Sequence, residues 1–123
     1  MRYLVLLEAT QPDTPPPPDL MEAIFALGEE ATRAGALLDT AGLLPSVTGA
    51  RLELTADGIG VTDGPFAETK ELISYALWDV RSKAEAVEWT SRFLDLHRDR
   101  WPGWTGGATV LQVMVPGDVP PSP

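Results

Sequence analysis

Five consecutive apolar residues near the start of the chain restrict the folds that it can adopt. The segment RYLVLLE, residues 2–8, is apolar at every position from Tyr3 to Leu7. Successive side chains of a β-strand point to opposite faces, so a strand here has two apolar faces. Both faces therefore need to be covered by other layers of the structure.

Two helices are predicted from capping boxes and from periodic apolar residues. Asp19 is predicted to cap the first helix, with Glu22 in the capping-box position, and Gly35 should end it. Ser82 and Glu85 form the capping box predicted for the second helix. The first helix should bury Leu20, Ile24, Leu27 and Ala31. The second helix, expected to end near His97, should bury Ala86, Trp89, Phe93 and, at the edge of that face, Leu96.

The remaining segments indicate strands. The piece RLELTADGIGVTD, residues 51–63, alternates apolar and polar residues about Asp57-Gly58, which predicts a hairpin with one solvent-facing side. Further strands are expected at 2–8, near 37–44, at 74–80 and at 109–115, with a rigid Pro-rich connector at 11–18.

The order of these elements predicts an α+β domain of the ferredoxin-like, split β-α-β type. Two helices can cover only one face of the sheet. The first strand and the last, which reads VLQVMV, are apolar on the other face as well, so another apolar layer is needed there. A second copy of the chain would supply it, and we expect a homodimer.

Size and composition indicate one soluble domain. The 123 residues allow a domain over 1–116 and a flexible C-terminal tail over 117–123. No apolar run approaches the roughly 20 residues that span a bilayer, and the N-terminus does not resemble a signal peptide. The absence of cysteine is compatible with a reducing compartment. We expect a cytoplasmic protein without membrane contact.

The distribution of charge argues against nucleic acid as a partner. The formal net charge is −9, and residues 1–80 hold 13 acids and 4 bases. Phosphate backbones are bound mainly through Lys and Arg, so such a surface would repel them.

The loop TDGPFAETKE, residues 62–71, carries the strongest candidate site. Asp63 could accept amide hydrogens of the turn that it begins, while Gly64 and Pro65 fix the bend and Phe66 plugs the loop onto the core. The second half holds several charged groups, which is typical of a solvated surface but also of a functional loop. These residues are Glu68, Thr69, Lys70 and Glu71.

The run VTDGPFAETKE, Val61 to Glu71, resembles the motif of the DGPF branch of the YCII-related proteins. MRYLVLLEA at the start and FLDLHRDRWPGW, Phe93 to Trp104, also fall where that family has counterparts. The resemblance implies a ferredoxin-like subunit that pairs into a dimeric α/β barrel, with a cleft near the dimer interface.

The sequence departs from the family at its only histidine. Some YCII-related branches resemble enzymes through a His and Asp pair whose His lies in the first half of the chain, so that pair cannot be carried over to His97. Placed among Arg92, Arg98 and Arg100, His97 is interpreted as a solvated residue near a helix end. One His and no Cys exclude the usual zinc ligand sets. We expect no metal and no cofactor.

Two functions remain open from the sequence. The first is an enzyme, an isomerase or lyase, with Asp63, Glu68 or Glu71 as general base and Lys70 stabilising an oxyanion. The second is a non-catalytic module for a ligand or protein partner, since DGPF relatives are associated with alternative sigma factors. Residues expected to contact a small-molecule ligand are Gly64, Pro65, Phe66, Thr69, Trp101 and Trp104, although for the two tryptophans a role as a cover over the core is favoured over pocket lining.

Overall fold

The computed structural model describes residues 1–10, 14–66 and 70–118. Within these ranges lie six strands, two helices and one 3₁₀ turn. The strands are β1 (Arg2–Ala9), β2 (Leu37–Gly42), β3 (Ala50–Thr55), β4 (Gly58–Asp63), β5 (Glu71–Asp79) and β6 (Gly106–Gln112). The helices are α1 (Pro18–Arg33) and α2 (Lys83–Arg100), and the 3₁₀ turn is Ser46–Thr48.

Four strands form one antiparallel sheet in the order β2-β5-β1-β6. Helix α1 connects β1 to β2, and α2 connects β5 to β6. This is the predicted α+β arrangement, with β1 and β5 in the centre of the sheet. Strands β3 and β4 form a separate hairpin between β2 and β5.

The two faces of β1 have different cover, as its apolar run predicts. Tyr3, Val5 and Leu7 are buried on the helix side of the sheet, whereas Leu4 and Leu6 on the opposite side are half-buried. The core on the helix side is completed by Ala31, Ala36, Trp78, Val80 and Ala86. One face of the sheet is therefore open in the single chain.

Helix α1 ends as predicted but does not begin as predicted. Its first residue is Pro18 and its N-cap is Pro17, without a side-chain cap, so the capping role assigned to Asp19 is wrong. Proline suits the first helical position because it lacks the amide hydrogen that would be unpaired there. At the other end Gly35 has φ +72°, and its amide donates to the carbonyl of Thr32.

Helix α2 begins at the predicted cap. The Ser82 hydroxyl accepts a hydrogen bond from the amide of Glu85 at 3.1 Å, and the Glu85 carboxylate accepts one from the amide of Arg81 at 3.0 Å. The helix continues to Arg100, three residues beyond the expected end at His97.

Strand β6 is displaced from the predicted range 109–115. It begins at Gly106, which pairs with Ala9, and ends at Gln112, which pairs with Tyr3. A Cβ at position 106 would lie 2.6 Å from the carbonyl oxygen of Glu8 and 2.5 Å from the ring of Trp104. Glycine thus lets the strand start beside that ring.

Beyond β6, Gly117 and Asp118 lie in a turn that is hydrogen-bonded to Val115. Residues 119–123 of the expected tail lie outside the described ranges.

The hairpin turns at Ala56 and Asp57, one residue before the predicted position, because Gly58 already pairs with Thr55. Its four apolar side chains share one face through the pairs Leu52 with Val61 and Leu54 with Ile59. All four are between 62 and 84% exposed. The expectation of a single solvent-facing side is therefore wrong for one chain, since both sides of the hairpin are exposed.

Candidate ligand-binding cleft

The 62–71 loop is organised around Ser46, at the start of the 3₁₀ turn. The Glu71 carboxylate accepts hydrogen bonds from the Ser46 amide at 3.0 Å and from its hydroxyl at 2.8 Å. The same hydroxyl accepts one from the amide of Phe66 at 3.2 Å. Glu71, a predicted catalytic base, is thus used here to hold two segments of backbone together.

Gly64 and Phe66 pack against neighbouring segments. The Gly64 amide donates to the carbonyl of Gly49 at 2.9 Å, and a Cβ at Gly64 would collide with the carbonyl of Ser46. The Gly64–Pro65 peptide bond is cis. The Phe66 ring lies under the guanidinium of Arg51, 4.1 Å from its centroid. Glycine at position 64 is therefore explained by close approach of two backbones.

The remaining predicted loop residues differ in what they contact. Asp63 ends β4 opposite Ala50 and is exposed, and its side chain makes no hydrogen bond in the part of the chain that the structure describes. The expectation that it accepts turn amides is therefore wrong. Lys70 is exposed. Glu68 and Thr69 lie outside the described residues.

The structure brings some of the predicted residues together in a groove of about 790 Å³. Phe66, Lys70 and Glu71 line this groove, next to Arg51 and Leu72. Trp101 and Trp104 do not belong to it. The residues proposed from the sequence as one site therefore divide between two places in the fold.

Trp101 and Trp104 line a larger cleft, of about 1190 Å³, on the helix side of the sheet. It lies between α1, the β2 edge and the C-terminal end of α2. Most of its lining is apolar and includes Leu20, Ile24, Phe25, Leu43, Ile73 and Phe93. Concave, mainly apolar clefts with few polar groups are typical of small-molecule sites.

His97 also lines this cleft and is only 4% exposed, so its interpretation as a solvated residue is wrong. Its ring packs between Phe93, with centroids 4.7 Å apart, and Trp104, at 4.5 Å. Nδ1 lies 2.9 Å from the carbonyl oxygen of Phe93. Burial lowers the pKa of His97, and the Phe93 carbonyl opposes that shift only in part.

The sequence contained a signal for this position. His97 follows Phe93 by four residues and Ala86 by eleven, which places all three on one face of α2. The neighbouring Arg98 and Arg100 led to the interpretation of His97 as solvated. In the structure Arg98 is exposed and Arg100 is the last residue of α2, but His97 lies on the buried face. Helical spacing was the better guide here than local charge.

Few charges border the cleft. Glu29 and Arg33 lie on its rim and pair with each other at 3.2 Å. The Thr40 hydroxyl donates to the carbonyl of Tyr75 at 2.8 Å, and that of Thr32 donates to the carbonyl of Gly28 at 2.7 Å. Within the described ranges no group of three or more His, Cys, Asp or Glu side chains could hold a metal ion.

Comparison with known proteins finds similarity to a bacterial protein in sequence and to solved structures in fold. No protein-family model matches the chain. Over 70 residues the chain is 39% identical to an uncharacterised protein of Rhizobium meliloti (strain 1021), and it spans 56% of that relative and 56% of its own length. The crystal structure of a "putative monooxygenase" from Shewanella loihica PV-4 aligns over 94% of this chain and 98% of the other, with 17% identity and a TM-score of 0.31. Among the described residues no helix is long and apolar enough to cross a membrane.

Proposed function

We propose that the protein binds a small, mainly apolar molecule in the cleft lined by His97, Trp101 and Trp104. The observation that carries this proposal is a buried imidazole that lines a mainly apolar cleft of about 1190 Å³. Polar groups in such places commonly orient a ligand. Catalysis by the 62–71 loop is not part of the proposal, because Glu71 is engaged with Ser46 and Asp63 lines neither the groove nor the cleft.

Blocking the cleft tests this function. Gly28 lies on α1 at the cleft, and a Cβ there would meet nothing within 4 Å. Gly28→Trp should therefore fill the cleft without a backbone clash, and Gly28→Ala is the matched control that adds one methyl group.

The neutral fluorophore N-phenyl-1-naphthylamine is a suitable probe, with quenching of tryptophan fluorescence as the readout. We expect Gly28→Trp to weaken its binding at least about tenfold, the equivalent of about 1.4 kcal/mol, and Gly28→Ala to leave it unchanged. Equal binding by wild type, Gly28→Ala and Gly28→Trp would contradict the proposal.

We also propose that the chain belongs to the YCII-related DGPF family and pairs through the open face of its sheet into a dimeric α/β barrel. The motif of residues 61–71 and the β-α-β-β-α-β order support membership. Pairing is supported by the half-buried Leu4, Leu6 and Leu77 and the exposed Leu111 on the open face. An association with sigma-factor signalling has no support in the described residues.

A further inference from the structure

The tautomer of His97 defines which ligand group the cleft can accept. A carbonyl oxygen only accepts hydrogen bonds, so Nδ1 must carry the proton that bonds the carbonyl of Phe93. In the neutral ring Nε2 then has a free lone pair, and it has no hydrogen-bond partner among the described residues. Nε2 is not among the fully buried, unpartnered side-chain atoms of the described residues, so it is open to a hydrogen bond from a group that fills the cleft.

The other polar groups of the cleft favour an uncharged ligand. Glu29 and Arg33 are the charged residues among the described cleft lining, and they neutralise each other at its exposed rim. The hydroxyls of Thr32 and Thr40 already donate to backbone carbonyls. An ionised ligand would lose hydration without gaining a counter-ion.

We propose, resting on the function proposed above, that the cleft takes a neutral aromatic molecule whose hydroxyl or ring N–H donates a hydrogen bond to Nε2 of His97. The rings of Phe93, Trp101 and Trp104 border the cleft and provide an apolar, aromatic contact surface for such a molecule. His97 acts as the acceptor that selects a donor-bearing ligand.

Two probes of nearly the same shape separate hydrogen bonding from simple apolar burial. The molecule 1-naphthol carries a donor, and 1-methoxynaphthalene does not. Their affinities are measured by titration calorimetry for wild type and for His97→Phe, which keeps an aromatic ring and removes the acceptor. We expect the ratio of naphthol to ether affinity to fall about tenfold in His97→Phe, with ether binding retained.

The chain has one histidine, so its ring resonances are an unambiguous second readout in the wild-type protein. Naphthol should shift the His97 ring signals more than the ether does, and this holds even if His97→Phe does not fold. An unchanged affinity ratio, or equal shifts with both probes, would overturn the acceptor role while cleft binding stands. Failure of both probes to bind would overturn the proposed function as well.

Discussion

At the scale of single residues, His97 makes stability depend on pH in a defined direction. Its pKa is lowered in the folded protein because burial disfavours the charged ring. Well above pH 6.5 the ring is neutral in both the folded and the unfolded state. As the pH falls below that value, His97 becomes protonated in the unfolded chain but stays neutral in the folded chain. The free energy of unfolding therefore decreases until the pH reaches the lowered pKa of the folded state.

This linkage can be measured by urea unfolding at pH 7.5 and pH 5.5. Wild type should lose free energy of unfolding as the pH falls through 6.5, with a contribution from His97 of at most about 1.4 kcal/mol per pH unit. In His97→Phe the loss over the same interval should be smaller, because the chain then has no histidine. Equal losses in the two proteins would show that His97 titrates alike in both states.

Gly64 should be the most sensitive position in the 62–71 loop. Gly64→Ala places a methyl group onto the carbonyl of Ser46, and we expect a loss of roughly 3 kcal/mol in free energy of unfolding. Gly60→Ala in the preceding strand β4 is the control, since a Cβ there meets nothing within 4 Å. Similar stabilities for the two variants, measured by chemical denaturation, would contradict this account of the loop.

At the scale of elements, local patterns predicted the order of strands and helices but not all of their ends. The cap at Ser82 and the stop at Gly35 depend on nearby residues and were predictable. The start of β6 at Gly106 depends on its register against β1, which is a contact between residues almost a hundred positions apart. The position of the 62–71 loop likewise depends on distant contacts, because three hydrogen bonds join Ser46 to residues 66 and 71.

The cap of α2 gives an element-scale prediction. Ser82→Ala removes the acceptor for the Glu85 amide and should lower the free energy of unfolding by about 1 kcal/mol. Ser91→Ala, at an exposed position inside the same helix, should leave stability unchanged or raise it by a few tenths of a kcal/mol. The sign of the difference between the two variants decides whether the hydroxyl acts as a cap.

At the scale of the whole molecule, the apolar open face of the sheet is the reason to expect that two chains pair. Leu4 pairs with Leu77 on one side and with Leu111 on the other, so three leucines form a row across the central strands. Leu111 is 50% exposed in the single chain. A two-fold axis would place this apolar row against its own copy and remove both from water.

Light scattering at tens of micromolar concentration measures this pairing. Wild type should give about twice the chain mass of 13.2 kDa. Raised salt should strengthen the dimer, because it screens the net charge of −9 on each chain. Leu111→Glu should give the mass of one chain, since two carboxylates would have to be buried at the interface. Val87→Glu, a matched change at an exposed position on α2, should keep the double mass.

A single-chain mass for the wild type at all salt concentrations would exclude the dimer. A double mass for Leu111→Glu would show that the two chains pair through a surface other than the open face of the sheet.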